Sequence, residues 1–209
     1  QMHLAPALAE FGKTYPRLRI HAFYSDRLLD LVGERFDAAI RIGTMADSSL
    51  LATRIAPVRV GVVASPSYVA QHGSPATLDD IAQHRTLVHA DHPWRFRKGS
   101  EIITLRPASD FMADNAQALL VAAMAGLGLA MLPSFLIGPG LLSGDLVPVL
   151  ESYPCPETGL YLVRPPTPGA MPTKVKVLAD LLHERFGRDV KWDVCQHALR
   201  ARSALKTVS

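Results

Sequence analysis

Apolar positions along this chain recur with a helical period in some stretches and in alternating or continuous runs in others, which predicts an α/β protein. Leu4, Leu8 and Phe11 share one face of an opening helix that stops before Tyr15 and Pro16. Residues 17–23 alternate like a strand, with Leu18, Ile20 and Ala22 opposite Arg19, His21 and Phe23. Ser25 and Asp26 are placed to cap a short helix over 27–32, ended by Gly33. Residues 36–42 and 58–64 are nearly continuous apolar runs, the pattern of strands covered on both faces, and 66–71 reads as a brief helix. The order α-β-α-β-β predicts most of a parallel layer.

Composition shifts near 73–75, and a second unit follows. A strand is expected at 86–89 and a hairpin pair around 101–105 and 108–112. The most informative stretch is 114–134, DNAQALLVAAMAGLGLAMLPS. Ala116, Leu119, Leu120, Ala123 and Leu127 form the stripe of a buried helix, and Asp114 is the expected N-cap. Gly126 and Gly128 end that helix, and a strand over 129–132 closes at Pro133. A short helix from 133 to 137, strands at 146–150 and 160–163, and a last helix with Val175, Leu178, Leu182 and Phe186 inside complete the chain. The expected organisation is a first subdomain of 1–74 plus 164–187, a second of 75–163 and a tail of 188–209. Two crossovers between two such lobes imply a hinged cleft, with ligands at the carboxyl ends of strands.

The 209 residues are 48% hydrophobic and 20% charged with a net charge of +3, which excludes a disordered chain and a composition built for nucleic acid. No apolar run reaches membrane-spanning length, so no membrane association is expected. Cys155 and Cys195 are the two cysteines; such a pair can form a disulfide, but two scattered thiols suit a reducing cytoplasm better. Catalytic constellations are missing from the sequence. The run Gly126-Leu127-Gly128-Leu129-Ala130-Met131 leaves a helix for a strand, the reverse of a dinucleotide loop, and Met131 stands where a third glycine is needed. Ser143 within GLLSG is misplaced for a nucleophile elbow, and neither His183-Glu184 nor any Cys/His group has zinc spacing. No enzyme activity, cofactor or metal is expected.

Residues 36–43 (FDAAIRIG), 47–51 (DSSLL) and 127–133 (LGLAMLP) resemble the effector-binding domain of LysR-type transcriptional regulators. Supporting pieces in the family's order are YSDRL at 24–28, ASPSYVAQHG at 64–73, WRF at 94–96 and GDLVPV at 144–149. The resemblance covers roughly residues 3–187. It implies two Rossmann-like subdomains of the periplasmic-binding-protein type and a small-molecule effector in an interlobe cleft. It also implies a cytoplasmic regulator that forms a homodimer or higher homo-oligomer through the first helix and the helix at 116–124. DNA would be reached only through an N-terminal helix-turn-helix, which this sequence lacks together with the family's first strand. Val190, Trp192 and Val194 alternate in the tail, which reads as a frayed end or as a strand replacing the missing one. The rival from another class is a stand-alone solute-binding protein serving transport; an enzyme of the same fold, such as a prephenate-dehydratase-like lyase, is a third reading.

Candidate ligand-binding residues are those expected at strand ends and helix starts. In the first lobe they are Ser25 and Asp26, then Ile42, Gly43, Thr44 and Met45, where glycine allows close backbone approach and Thr44 offers a hydroxyl. In the second they are His89 and Trp94, an aromatic beside a titratable ring, with Asp114, Asn115 and Pro133. Asp114 at a helix start would discourage a bare anion. Arg95, Arg97, Lys98 and Arg106 read as a solvated hairpin face.

Overall fold

In the computed structural model, which describes residues 3–25, 29–43, 45, 49–89, 92–109 and 111–187, the first half contributes α1 (Leu4–Thr14), β1 (Ala39–Gly43), β2 (Leu51–Val58), β3 (Val60–Ala64), α2 (Pro66–His72), β4 (Thr86–His89), β5 (Trp94–Lys98) and β6 (Glu101–Leu105). The second half adds β7 (Phe111–Ala113), α3 (Ala116–Met124), β8 (Leu129–Pro133), α4 (Ser134–Ser143), β9 (Val147–Val149), β10 (Thr158–Arg164) and α5 (Thr173–Leu182). The described chain divides into two units: one holds the residues up to Val58 and from Thr158 onward, the other Arg59–Glu157.

The first unit is built on an antiparallel sheet of order β1-β10-β2. Leu160, Leu162 and Val163 of β10 are buried because β10 is the central strand. Helix α1 buries Ala7 and Phe11, and Phe11 meets the Tyr15 ring at 4.9 Å just where Pro16 halts the helix. From α5, Val175, Ala179 and Leu182 go inside, with Phe186 on the π-helical turn (His183–Gly187) that follows. His183 Nε2 lies 3.0 Å from the Arg54 carbonyl, which ties this turn to β2, and Arg185 pairs with Glu10 of α1.

The second unit has a mixed sheet of order β7-β4-β8-β3-β9, in which β4 runs parallel to β7 and β8 while β3 is antiparallel to β8 and β9. Side chains alternate across this sheet and find a separate core on each face. Val63, Leu87, Ala130 and Leu132 pack with Leu119, Leu120 and Ala123 of α3 and Ile137 and Leu141 of α4. Val62, Ala64 and Leu129 pack on the other face with Tyr68 of α2, Ile81, and Trp94 and Phe96 of the β5–β6 hairpin. Burial on both faces is why these strands lack a polar face.

Several expectations change. Residues 17–23 form no strand: a turn at Arg17 and a bend at Leu18 lead into irregular backbone, and Ile20 and Phe23 are exposed. A strand needs a neighbour for its backbone groups, and no described strand pairs with this segment. The described part of 27–36 is a run of turns in which Asp30 Oδ1 accepts from the N–H groups of Val32 and Gly33. β1 is a half-buried edge strand rather than a doubly covered one, and β2, over Leu51–Val58, is additional to the expected strands. β3 and α2 belong to the second unit, so the chain leaves the first after Val58 rather than near 74, because β3 pairs with β8 and β9. The hairpin joins 94–98 to 101–105, and 111–113 instead pairs in parallel with β4. The tail reading lies outside the described residues.

A buried tyrosine couples the second unit to pH. Tyr68 is 2% exposed; its hydroxyl accepts from the Arg85 N–H at 2.9 Å and shares a hydrogen bond with His84 Nδ1 at 3.2 Å. Desolvation, and then the charge of His72, hold His84 below the ordinary imidazole value, while Asp80 opposes them. A histidine depressed in the folded state makes the unfolded chain the better proton acceptor. Its contribution is therefore complete above about pH 6.5 and is lost as pH falls through the folded value. The urea midpoint of the natural chain should drop more from pH 7.5 to 5.5 than that of His84→Gln, about these working values. Equal drops would remove His84 as the cause.

Candidate functional site

Three parallel strands of the second unit finish at one edge of its sheet. His89 is level with Ala113 across β4 and β7, and Leu87 is level with Ala130 across β4 and β8, so β4, β7 and β8 end together at His89, Ala113 and Pro133. Antiparallel β3 starts at the same edge, with Val60 opposite Pro133. The sequence candidates His89, Asp114, Asn115 and Pro133 are thus gathered on one rim. Ser134, 6% exposed, joins them as the first residue of α4, and its N–H donates to the Arg59 carbonyl at 2.9 Å. The only sequence signal for it is its place after a strand-ending proline.

His89 is half-buried and meets exposed His92, Nδ1 to Nδ1, at 2.7 Å with the rings at 80°. One imidazole donates and the other accepts, so both cannot be fully protonated while the bond stands. The pair can offer a ligand either an N–H donor or a ring face.

The α3 N-cap is Asn115, not Asp114. Asn115 is extended, and its Oδ1 accepts from Gln117 N at 2.9 Å and Ala118 N at 3.2 Å. These two donors are occupied by the cap and are not open to an anion. Asp114 is exposed beside it. Trp94 is withdrawn from the rim: it is 2% exposed and packs edge-on against Phe96. Its alternation with Arg95 and Arg97 places it inward, so it stabilises the hairpin and presents no face to a ligand.

In the first unit, β1 ends with Ile42 and Gly43 opposite Leu160 and Gly159, near the start of β10. Ile42 is 43% exposed and Met45 half-buried. Gly43 adopts φ +151 with nothing within 4 Å of where a Cβ would stand, so backbone conformation, not crowding, favours glycine there. Arg41 Nη2 donates to the Leu29 carbonyl at 3.1 Å and braces the loop before β1. Ser25 is exposed in the irregular segment that follows α1. Asp26 and Thr44 lie outside the described residues.

Among the described residues no three His, Cys, Asp or Glu side chains cluster as metal ligands. Burial pushes the Cys155 thiol up to about 12, so it is held protonated and poorly nucleophilic. No helix of the described residues is long and apolar enough to cross a membrane.

The family described as the LysR substrate binding domain matches residues 1–187. An HTH-type transcriptional regulator of Haemophilus influenzae is 33% identical over 168 residues, covering 78% of this chain and 58% of its own length. The HTH-type transcriptional regulator PtxR of Pseudomonas aeruginosa is 31% identical, covering 90% and 61%. The chain therefore spans about three fifths of these curated relatives. Among solved structures, the regulatory domain of CrgA from Neisseria meningitidis superposes with a TM-score of 0.74 at 27% identity, covering 88% of this chain and 92% of that one. The full-length Vibrio cholerae virulence activator AphB gives 0.73 at 26%, covering 86% and 62%.

Proposed function

The chain belongs to the LysR substrate-binding domain family, and from that premise we propose that it is the effector-sensing and self-associating part of a LysR-type transcription regulator. The single observation that carries the effector reading is the rim of the second unit, where a histidine pair, an exposed carboxylate and a helix start converge at the ends of parallel strands. Ile42, Gly43 and Met45, at the end of β1, are a second set of ligand-recognition candidates in this reading. A bound effector shifts the population between regulator states, and the shift is relayed to a helix-turn-helix domain. The transport rival shares the architecture, but these relatives are transcriptional regulators.

The test is thermal melting of the full-length regulator against a panel of small metabolites. A cognate compound at about 100 times its Kd adds roughly 2.7 kcal/mol of stability. A panel of effector-class compounds that leaves the midpoint unmoved argues against sensing.

Self-association is assigned to the exposed side of α3, where Val121 is 59% and Met124 41% exposed, with the outer face of α1 as the second surface. Burying such apolar side chains between protomers removes them from water. Met124→Glu should raise the dimer dissociation constant at least about tenfold, or about 1.4 kcal/mol. Sedimentation equilibrium reads this, and an unchanged constant would move the interface elsewhere.

A further inference from the structure

The β5–β6 hairpin separates its residues into two chemically opposed faces. Trp94 and Phe96, with Leu105 and Ile103 across from them, form the face turned to the core. Arg95 and Arg97, with cross-strand partners Thr104 and Ile102, form the outer one. Arg106 is exposed immediately after β6. All three arginines are exposed, and none makes an ion pair among the described residues. The hairpin's one acid, Glu101, is level with Lys98 at the turn, away from Arg95 and Arg106. Arg95 and Arg97 are two residues apart on one strand, so their side chains emerge about 6.7 Å apart along a nearly straight line.

A row of guanidinium groups without an ion pair among the described residues, on a ribbon anchored from behind by buried Trp94 and Phe96, is a preorganised anion-facing surface. We propose that this face docks on the phosphate backbone of duplex DNA, adding sequence-independent contacts to a regulator whose sequence reading is done elsewhere. The choice of DNA rests on the regulator reading above, which puts a helix-turn-helix and its duplex within reach of the same polypeptide. The geometry suits a phosphate backbone, because such contacts need spaced, permanently charged donors and no pocket, and Ile102 is the only large apolar side chain exposed on this hairpin.

The experiment measures binding of the 209-residue chain to a random-sequence DNA duplex as salt is varied. Three phosphate contacts give a slope of log K against log salt of about −2.7, a loss of about 40-fold between ~50 and ~200 mM. The variant R95Q/R97Q/R106Q should abolish that dependence, while the equally neutralising R17Q/R19Q/K176Q, on other exposed cations, should retain most of it. Duplex binding absent at the lowest salt overturns the proposal, as do equal losses in both variants. Binding to polyglutamate without binding to duplex also overturns it, in favour of an acidic protein partner. The readout involves no effector, so its failure leaves the ligand-induced melting shift standing, and the reverse holds too.

Discussion

Gly128→Ala is expected to lower the unfolding free energy by about 3 kcal/mol or more, a melting decrease of roughly 6–12 °C. A Cβ there would stand 2.4 Å from the Arg85 carbonyl oxygen and 2.8 Å from its carbon. Both are backbone atoms, and the carbonyl already accepts the Leu129 N–H at 2.9 Å, so it cannot swing aside without breaking the first β4–β8 contact. Gly126→Ala provides the contrast. It meets only serine hydroxyls at 3.2 and 3.3 Å, and its penalty comes from φ +81, about 1–2 kcal/mol. Urea denaturation of both variants checks the order. Equal costs, or a mild Gly128→Ala, would mean that the junction between β8 and the chain ahead of β4 yields more readily than this close approach implies.

Phe96→Ala should cost about 3–5 kcal/mol, since a fully enclosed aromatic leaves a cavity among Trp94, Tyr68 and Leu129 that rigid strands do not close. The Arg97 N–H donates to the Pro154 carbonyl at 2.8 Å, so this loss also loosens the segment after β9. Ile102→Ala, on the outer face of the same hairpin, should stay within about 0.5 kcal/mol. Chemical denaturation midpoints of the pair report whether the hairpin is anchored from one side, and similar costs for both would refute the facial split.

Legibility followed local chemistry. α3, the glycine-rich exit and β8 are readable because a helical stripe, two glycines and a proline all act within one short stretch. The same stretch misleads over its cap: Asp114 and Asn115 are both good caps, and only backbone conformation decides for Asn115. β2 is hidden because Arg54 and Pro57 interrupt its pattern, and its pairing with β10 slips in register between Leu160 and Tyr161. The hairpin is displaced because 101–105 can pair on either side, and burial of Trp94 and Phe96 selects 94–98. Residues 17–23 do alternate, but alternation supplies no neighbouring strand. Of the site, the shared edge of His89, Asn115 and Pro133 can be inferred from strand ends. Trp94's inward direction and the His89–His92 contact depend on folded geometry, which sequence spacing does not encode.

Titration calorimetry of the full-length protein, using the compound that moves its melting temperature most, tests the sensing rim most directly. His89→Leu and Asp114→Asn should each weaken binding about tenfold, about 1.4 kcal/mol, while exposed Arg95→Gln leaves it unchanged. Full affinity in both rim variants would contradict the assignment of the effector to this edge.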